Sequence, residues 1–397
     1  MIMLVLEFKA YGDKSQYKAI DEAILTGQFI RNKCLRLWMD ESGKDKYDLN
    51  KYCAVLAKEF PFANQLNSSA RQSSAERAWA AISRFYENCK KQIPGKKAFP
   101  KFKKFSRSVE YKKSGWKLCR DTKWIKFTDK KGIGKLKLKG TWELWRYDQK
   151  LIKRVRLVRR ADGYYVQFCV KVDVIESMEP SRKTIGLDVG LKEFYTDSDG
   201  STQPNPRFYR RGEKRLKFYR KRVSRKKKGS SNRKLAINKL GRTHLKISRQ
   251  REEHAKMLAR CVIHSNDVVA YEDLRIRNLV QNHCLAKSIN DAGWYQFRKW
   301  LEYFGKKFGK ITIAVNPAYT SQNCSSCGEV VKKSLSTRTH ICSCGCELDR
   351  DHNAAINILQ RALGTVGHTG TWILDPNASG DLTTTVVASG QFQQVDS

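Results

Sequence analysis

The sequence predicts a multi-domain α/β protein, and three observations carry that prediction. In the second half, short apolar stretches that carry acids, Thr184–Gly190 and Asp267–Leu274, alternate with long helical patterns. Between 109 and 172, short strands carry basic residues at alternate positions, the pattern of a small β-barrel. Two close cysteine pairs, Cys324/Cys327 and Cys342/Cys344, mark a metal knuckle just ahead of a final helix. A chain of 397 residues can build two or three domains, each with its own core.

Charge narrows the function class. With 78 Lys+Arg against 39 Asp+Glu, the formal charge is +39. A chain this basic repels itself unless it meets a polyanion, which points to nucleic acid. A membrane surface is disfavoured, because no apolar run reaches spanning length and no lipidation signal is present. The opening Met1–Phe8 is too short for a secretory signal and lacks a basic start and a cleavage site. Twelve cysteines, five of them at the knuckle, are too few for a disulfide scaffold and fit a reducing cytoplasm. The expected location is the cytoplasm of a prokaryote, in association with the nucleoid.

Residues 1–10 alternate as a strand. Tyr17, Ile20, Ile24 and the stretch Ile30–Trp38 mark one helical segment, and Trp79, Ile82, Tyr86 and Cys89 a second. Aromatic residues at that spacing read as core, so 11–98 is a small helical lobe. Phe99-Pro100-Lys101-Phe102-Lys103-Lys104 ends it. Strands are expected at Val109–Lys112, Trp124–Thr128 and Gly134–Lys139, followed by a hairpin of Arg154–Arg160 and Tyr164–Val172 around Ala161-Asp162-Gly163. With the first strand, 99–180 forms the barrel, whose basic outer face the overall charge assigns to nucleic acid.

At Thr184 the pattern changes. Thr184–Gly190 is an apolar strand interrupted by Asp188, and a lone carboxylate in a buried strand is costly unless paired or bound to metal. Phe194–Thr196 reads as its antiparallel return. Between Arg207 and Lys228 stand thirteen Lys/Arg and one acid, Glu213. That density favours phosphate contact, with Arg210, Arg211, Lys214, Arg215, Arg220 and Lys221 as candidates. After a break at Lys226–Asn232, residues 237, 240, 244, 247, 251, 254, 258 and 261 alternate by three and four. This predicts a helical hairpin over 207–265 with His244 and His254 in its seam. Asp267–Leu274 is a second buried strand, whose Glu272 could face Asp188. After a polar loop, Asp291 can cap a helix with Trp294, Phe297, Leu301, Phe304 and Phe308 on one face, and Ile311–Val315 returns as a strand.

In the knuckle, each cysteine pair is followed by a turn glycine, Gly328 or Gly345. Four thiolates suit a closed tetrahedral site holding one structural Zn²⁺. The second pair is one residue tighter than usual, so Cys346 is an alternative fourth ligand. Asp349 can cap the following helix, whose apolar face is Ala354, Ala355 and Ile358. Asp351, one turn in, suits a metal ligand on a rigid helix. From Gly364 to the end the chain has no Lys or Arg and is rich in Gly, Thr and Ser, so a mobile tail is expected over 364–397.

Three carboxylates from two strands and a helix are what two-metal phosphodiester hydrolysis needs, with two ions about 4 Å apart. Mg²⁺ is the natural ion for oxygen ligands and phosphate. The order strand-Asp, strand-Glu, helix-Asp is that of the RNase H-like fold as RuvC-type nucleases use it. With GLDVG at 186–190, YEDL at 271–274, SINDAGW at 288–294, the knuckle and DRDHNAAINI at 349–358, most of residues 1–363 resembles the TnpB family. These are transposon-encoded RNA-guided DNA endonucleases, related to compact type V CRISPR effectors. FPKFKK at 99–104 agrees more loosely.

The resemblance implies that Asp188, Glu272 and Asp351 are catalytic and hold two Mg²⁺ ions. It implies a wedge barrel (1–10 and 99–180) interrupted by a helical recognition lobe (11–98). It also implies a RuvC-like nuclease domain (181–319 and 348–363) with an inserted zinc ribbon (320–347) that meets the target nucleic acid. The implied partners are a guide RNA derived from the transposon end and double-stranded DNA carrying a short adjacent motif. Gln72 in the lobe, and Lys101, Lys103 and Lys104, are the contacts expected outside the nuclease domain. Rival readings are an RNA-guided DNA-binding repressor that does not cut, a DNA transposase using the same triad, and an effector served by a separately encoded guide array.

Overall fold

Strand β1 (Ile2–Tyr11) alternates in burial from Met3 on, and the chain then turns into helices. The computed structural model describes residues 2–92, 98–172, 178–334 and 337–368, which fall in two units divided at Asp173/Val174. In the first unit, α1 (Lys14–Asp40), α2 (Lys46–Glu59), α3 (Pro61–Asn64) and α4 (Ser68–Lys90) follow β1. The start of α1 is fixed by a reciprocal cap: Gln16 N donates to Asp13 Oδ1 (2.8 Å) and Asp13 N to Gln16 Oε1 (3.0 Å). Helices α2 and α3 were not foreseen. Only Leu49, Cys53 and Leu56 of α2 are buried, a stripe too narrow to stand out from its polar neighbours.

The chain then returns as β2 (Ser108–Tyr111), β3 (Trp116–Leu118), β4 (Trp124–Phe127), β5 (Lys135–Lys139), β6 (Ile152–Arg160) and β7 (Gly163–Val172). The seven strands form one antiparallel sheet in the order β2-β6-β7-β1-β5-β4-β3. In β5 the alternation is plain, with Leu136 and Leu138 buried between exposed lysines. Edge strands β2 and β3 are separated in sequence only by residues 112–115, so the sheet must curl until its edges approach. Tyr111 of β2 accordingly lies 5.0 Å from Phe127 of β4, ring centre to ring centre. The expected barrel is thus a curled sheet with no hydrogen-bonded ladder closing β2 onto β3.

The second unit begins with β8 (Thr184–Asp188), β9 (Glu193–Asp197) and β10 (Thr202–Pro204), and continues through α5 (Phe208–Ser224), α6 (Ser231–Ser265) and β11 (Val268–Glu272). Then come α7 (Ile276–Leu279), α8 (His283–Ala292), α9 (Trp294–Phe308), β12 (Ile311–Val315), β13 (Thr339–Ile341), β14 (Glu347–Asp349) and α10 (Arg350–His368). The main sheet runs β10-β9-β8-β11-β12, with β8, β11 and β12 parallel and β9 and β10 antiparallel. Parallel neighbours need crossovers, which α5, α6, α8 and α9 supply. The aromatic stripe of α9 fills the core, with Phe297 5.1 Å from Phe194 of β9. His254 sits edge-on to Phe194 and Phe208, a packing role in the hairpin seam, and burial pushes its pKa down.

Two expectations are corrected. Asp291 does not cap α9, whose N-cap is Gly293 and which has no side-chain cap. It lies in α8, 5% exposed, and its carboxylate accepts from Tyr209 N (2.7 Å) and Arg210 N (3.1 Å). Arg207, at the N-cap of α5, is left-handed (φ 48°) with no capping side chain, so Asp291 supplies that cap from about eighty residues away. Asp291→Ala should cost about 1–2 kcal/mol and fray α5. Amide exchange at Tyr209 and Arg210 checks this, and unchanged protection there would count against it. Second, α10 continues past Gly364 to His368, since the register that buries Ile358 and Ala362 outweighs a helical glycine's cost of about 1 kcal/mol. The rest of the expected tail, 369–397, lies outside the described residues. Among the described residues, no helix is long and apolar enough to cross a membrane.

Candidate functional site

Register brings the first two carboxylates together. Leu187 pairs with Tyr271 across the parallel strands β8 and β11, so Asp188 and Glu272 are the next residues along, at the carboxyl ends of adjacent strands. In a parallel pair, side chains at matching positions leave the same face of the sheet. Gly186, two residues before Asp188, points to that face too, and there α10 lies directly on the strand. A Cβ on Gly186 would stand 2.2 Å from Ala355 O. Asp351 precedes Ala355 by four residues, about 6 Å of helix, and Asp188 follows Gly186 by two, about 6.6 Å of strand. The matching steps set Asp351 above Asp188.

The electrostatics agree. Asp188 is half-buried, and its carboxyl is held well above the usual range, first by loss of water, then by the charges of Glu272 and Asp351. Arg350 opposes this and Asp349 adds to it, so the amino end of α10 faces Asp188. Glu272 is also raised by burial, against a hydrogen bond from Thr320 Oγ1 (2.5 Å) and the charge of Arg361. Asp351 receives Arg338 Nη1 (3.3 Å) and Arg350 Nε (3.4 Å), while Asp349 caps the helix by accepting from Asp351 N (2.8 Å). Three acids that repel one another, with only oxygen donors, form a ligand set for a hard divalent cation. Their oxygens are spread too widely to lie within 4.8 Å of one another as a trio. Two ions about 4 Å apart, each held by a different pair, do not require that.

The knuckle is tighter. The sulfurs of Cys324, Cys327, Cys342 and Cys344 all lie within 4.8 Å of one another, with 3.6 Å between Cys324 and Cys344 and between Cys327 and Cys342. Four sulfurs about 2.3 Å from one zinc stand about 3.8 Å apart, so the set fits that ion. Gly328 (φ 80°) and Gly345 (φ 85°) make the left-handed turns that bring each pair round. Burial opposes ionisation of Cys324, but backbone N–H groups of Cys327 and Ser326, with His340, bring its thiol down to about 5. Cys346 belongs instead to a three-member set with Cys324 and His340. Cys327→Ser should therefore lower bound zinc and destabilise the second unit, whereas Cys346→Ser should leave zinc content at one per chain. Elemental analysis distinguishes the two, and unchanged zinc in Cys327→Ser would refute the knuckle assignment.

The expected nucleic-acid residues are all exposed. Gln72 stands on α4, where its Oε1 accepts from Lys112 (3.4 Å). Lys101, Lys103 and Lys104 project from a segment whose backbone is tied to α1, with Asn32 exchanging two 2.9 Å hydrogen bonds with Lys103. Arg210, Arg211, Lys214, Arg215, Arg220 and Lys221 are exposed on α5, Arg210 donating to Ser288 Oγ (3.0 Å). Arg211 and Arg215 line a cleft of about 630 Å³ with Lys239, Arg242 and Lys246 of α6. Those three escaped notice because the three-and-four repeat dominates α6; the signal was the run of cations, Lys239, Arg242 and Lys246, on its first half. Thr320, which hydrogen-bonds Glu272, and Asn353 and Asn357, which bond the backbone of 320–325, were also missed, since a polar residue's partner across a fold leaves no local pattern.

Comparison with known proteins adds independent evidence. Residues 167–283 match the OrfB_IS605 family model, "Probable transposase", and residues 294–358 match the TNB domain of Cas12f1-like proteins. A candidate RNA-guided DNA endonuclease of Streptomyces pristinaespiralis is 36% identical over 206 residues, which is 51% of this chain and 51% of that protein. InsQ of Escherichia coli K12, of the same description, is 28% identical over 283 residues, 66% of this chain and 68% of its own. The match thus spans about half the length of the first relative and two thirds of the second. In fold, the chain is similar to Cas12f1 in its complex with sgRNA and target DNA, with a TM-score of 0.53 and 15% identity over 87% of this chain and 83% of that one.

Proposed function

We propose that this chain, which belongs to the TnpB family, is an RNA-guided DNA endonuclease that cuts double-stranded DNA at a single RuvC-type centre. The observation that carries the proposal is the convergence of Asp188, Glu272 and Asp351 from two parallel strand ends and one helix. Two Mg²⁺ ions held there would supply an activated water and stabilise the leaving oxygen. The chain's own work is positioning. Asp188 is fixed by the strand, Glu272 by Thr320, and Asp351 by helix α10, whose Arg350 and the nearby Arg338 balance its charge until cations arrive.

In this reading 181–319 and 348–363 form the nuclease domain, 320–347 a zinc ribbon meeting target nucleic acid, 1–10 and 99–180 a wedge, and 11–98 a recognition lobe. Sequence is read by pairing with a guide RNA from the transposon end, while the protein supplies charge and shape. Lys101, Lys103, Lys104 and the α5 cations serve backbone phosphates, and Gln72 serves the short motif beside the target. The test is to purify the chain, sequence its bound RNA and offer a duplex matched to that RNA. Mg²⁺-dependent cutting of the matched duplex alone is expected. Binding without cutting would favour a repressor, and transposon-end binding without RNA a transposase.

A further inference from the structure

The knuckle and the nuclease centre share one loop. Residues 320–325 include the first zinc ligand, Cys324, and lie against one face of α10, where Asn353, Asn357 and Gln360 recur at helical spacing. Asn357 Nδ2 donates to Thr320 O (2.9 Å) and Asn323 O (2.8 Å). Asn353 Nδ2 donates to Asn323 O (2.8 Å), and its Oδ1 accepts from Ser325 N (2.9 Å). Gln360 adds a bond to Ser325 O (3.1 Å). Thr320, Cys324, Asn353 and Asn357 are all at least 94% buried, so the asparagine bonds are largely shielded from water, whereas the Gln360 bond is exposed. At the other end of the loop, Thr320 Oγ1 donates to Glu272 Oε1 (2.5 Å) and also lies 3.1 Å from Pro317 O.

One short stretch therefore grips the helix that carries Asp351, hydrogen-bonds Glu272 and supplies a zinc thiolate. We infer that the cysteine knuckle is a positioning device for the acidic centre: zinc anchors Cys324, the asparagine pair transmits that anchor to α10, and Thr320 orients Glu272. This rests on the nuclease reading above and extends it. Thr320, Asn353 and Asn357 are positioning residues, since none is itself one of the three acids. Hydrogen bonds that orient a ligating carboxylate commonly alter metal affinity by about 10–100-fold.

The test uses the full-length, zinc-loaded chain and Mn²⁺ as the probe, counting binding in excess of an Asp188→Ala control by electron paramagnetic resonance. Thr320→Val should weaken Mn²⁺ binding by about tenfold or more with zinc content unchanged, and Thr320→Ser should restore it. Removing zinc from the unmodified chain should weaken Mn²⁺ binding in the same direction, which keeps the inference testable if the valine variant does not fold. Unchanged Mn²⁺ affinity in the valine variant or the zinc-free chain would overturn the inference. Equal Mn²⁺ binding by the unmodified chain and Asp188→Ala would overturn the nuclease reading instead.

Discussion

Asp188→Asn should abolish cutting, by about 10³-fold or more, and should at the same time raise the melting temperature of the metal-free protein at neutral pH. The first effect follows from losing one of three acids that act as a unit. The second follows from linkage. Burial and two neighbouring carboxylates raise the Asp188 carboxyl well above its unfolded value of about 3.9, so the native state binds the proton more tightly than the unfolded chain. Stability therefore falls as pH rises through the window between the unfolded value and the raised native one, and the penalty is fully present above that window. Asparagine keeps the shape and removes the charge, so its advantage should vanish in acid. Calorimetry at neutral and low pH reads this directly. A lower melting temperature, with guide and target binding lost in parallel with cutting, would mean that Asp188 is structural.

Gly186→Ala should be almost as damaging to cutting, though the glycine carries no chemistry. A Cβ at that position meets Ala355 O at 2.2 Å and both Leu359 Cβ and N at 2.9 Å, so backbone must move and α10 must lift from β8. Overpacking of this kind costs about 1–3 kcal/mol. The lift also carries Asp351 away from Asp188, and a misplacement of about 1 Å can cost about 10²-fold in rate. Guide RNA binding should survive. Gly364→Ala is the matched control on the same helix: nothing lies within 4 Å of the added carbon, and the change should stabilise by up to about 1 kcal/mol. Parallel measurements of cutting and thermal stability separate the pair, and full activity in Gly186→Ala would break the link between helix seating and the acidic centre.

Legibility in the sequence followed the range of the physics. Asp188 stood out because a charge inside an apolar strand violates a local rule, and the cysteines because ligand spacing is itself local. The positions of strands β8, β11 and β12 and the α9 stripe were readable from period alone. What escaped was whatever depends on a partner distant in sequence. Asp291 looked like a cap for the helix that follows it, and it caps α5 instead, because the orphan amides of Tyr209 and Arg210 come to it through the fold. Asn353 and Asn357 drew no reading beside the apolar face of α10 and are buried against the loop leading to Cys324. The barrel's open seam between β2 and β3 could not be foreseen either, since strand pairing is not written in strand pattern.

The central claim is that Asp188, Glu272 and Asp351 grip divalent cations over a nucleic-acid backbone. Anomalous diffraction from crystals of the zinc-loaded protein soaked in Mn²⁺ tests it most directly. The account predicts manganese peaks bounded by these three carboxylates, with zinc confined to the four knuckle sulfurs. Manganese bound elsewhere, or the three acids free of manganese at saturating Mn²⁺, would contradict it.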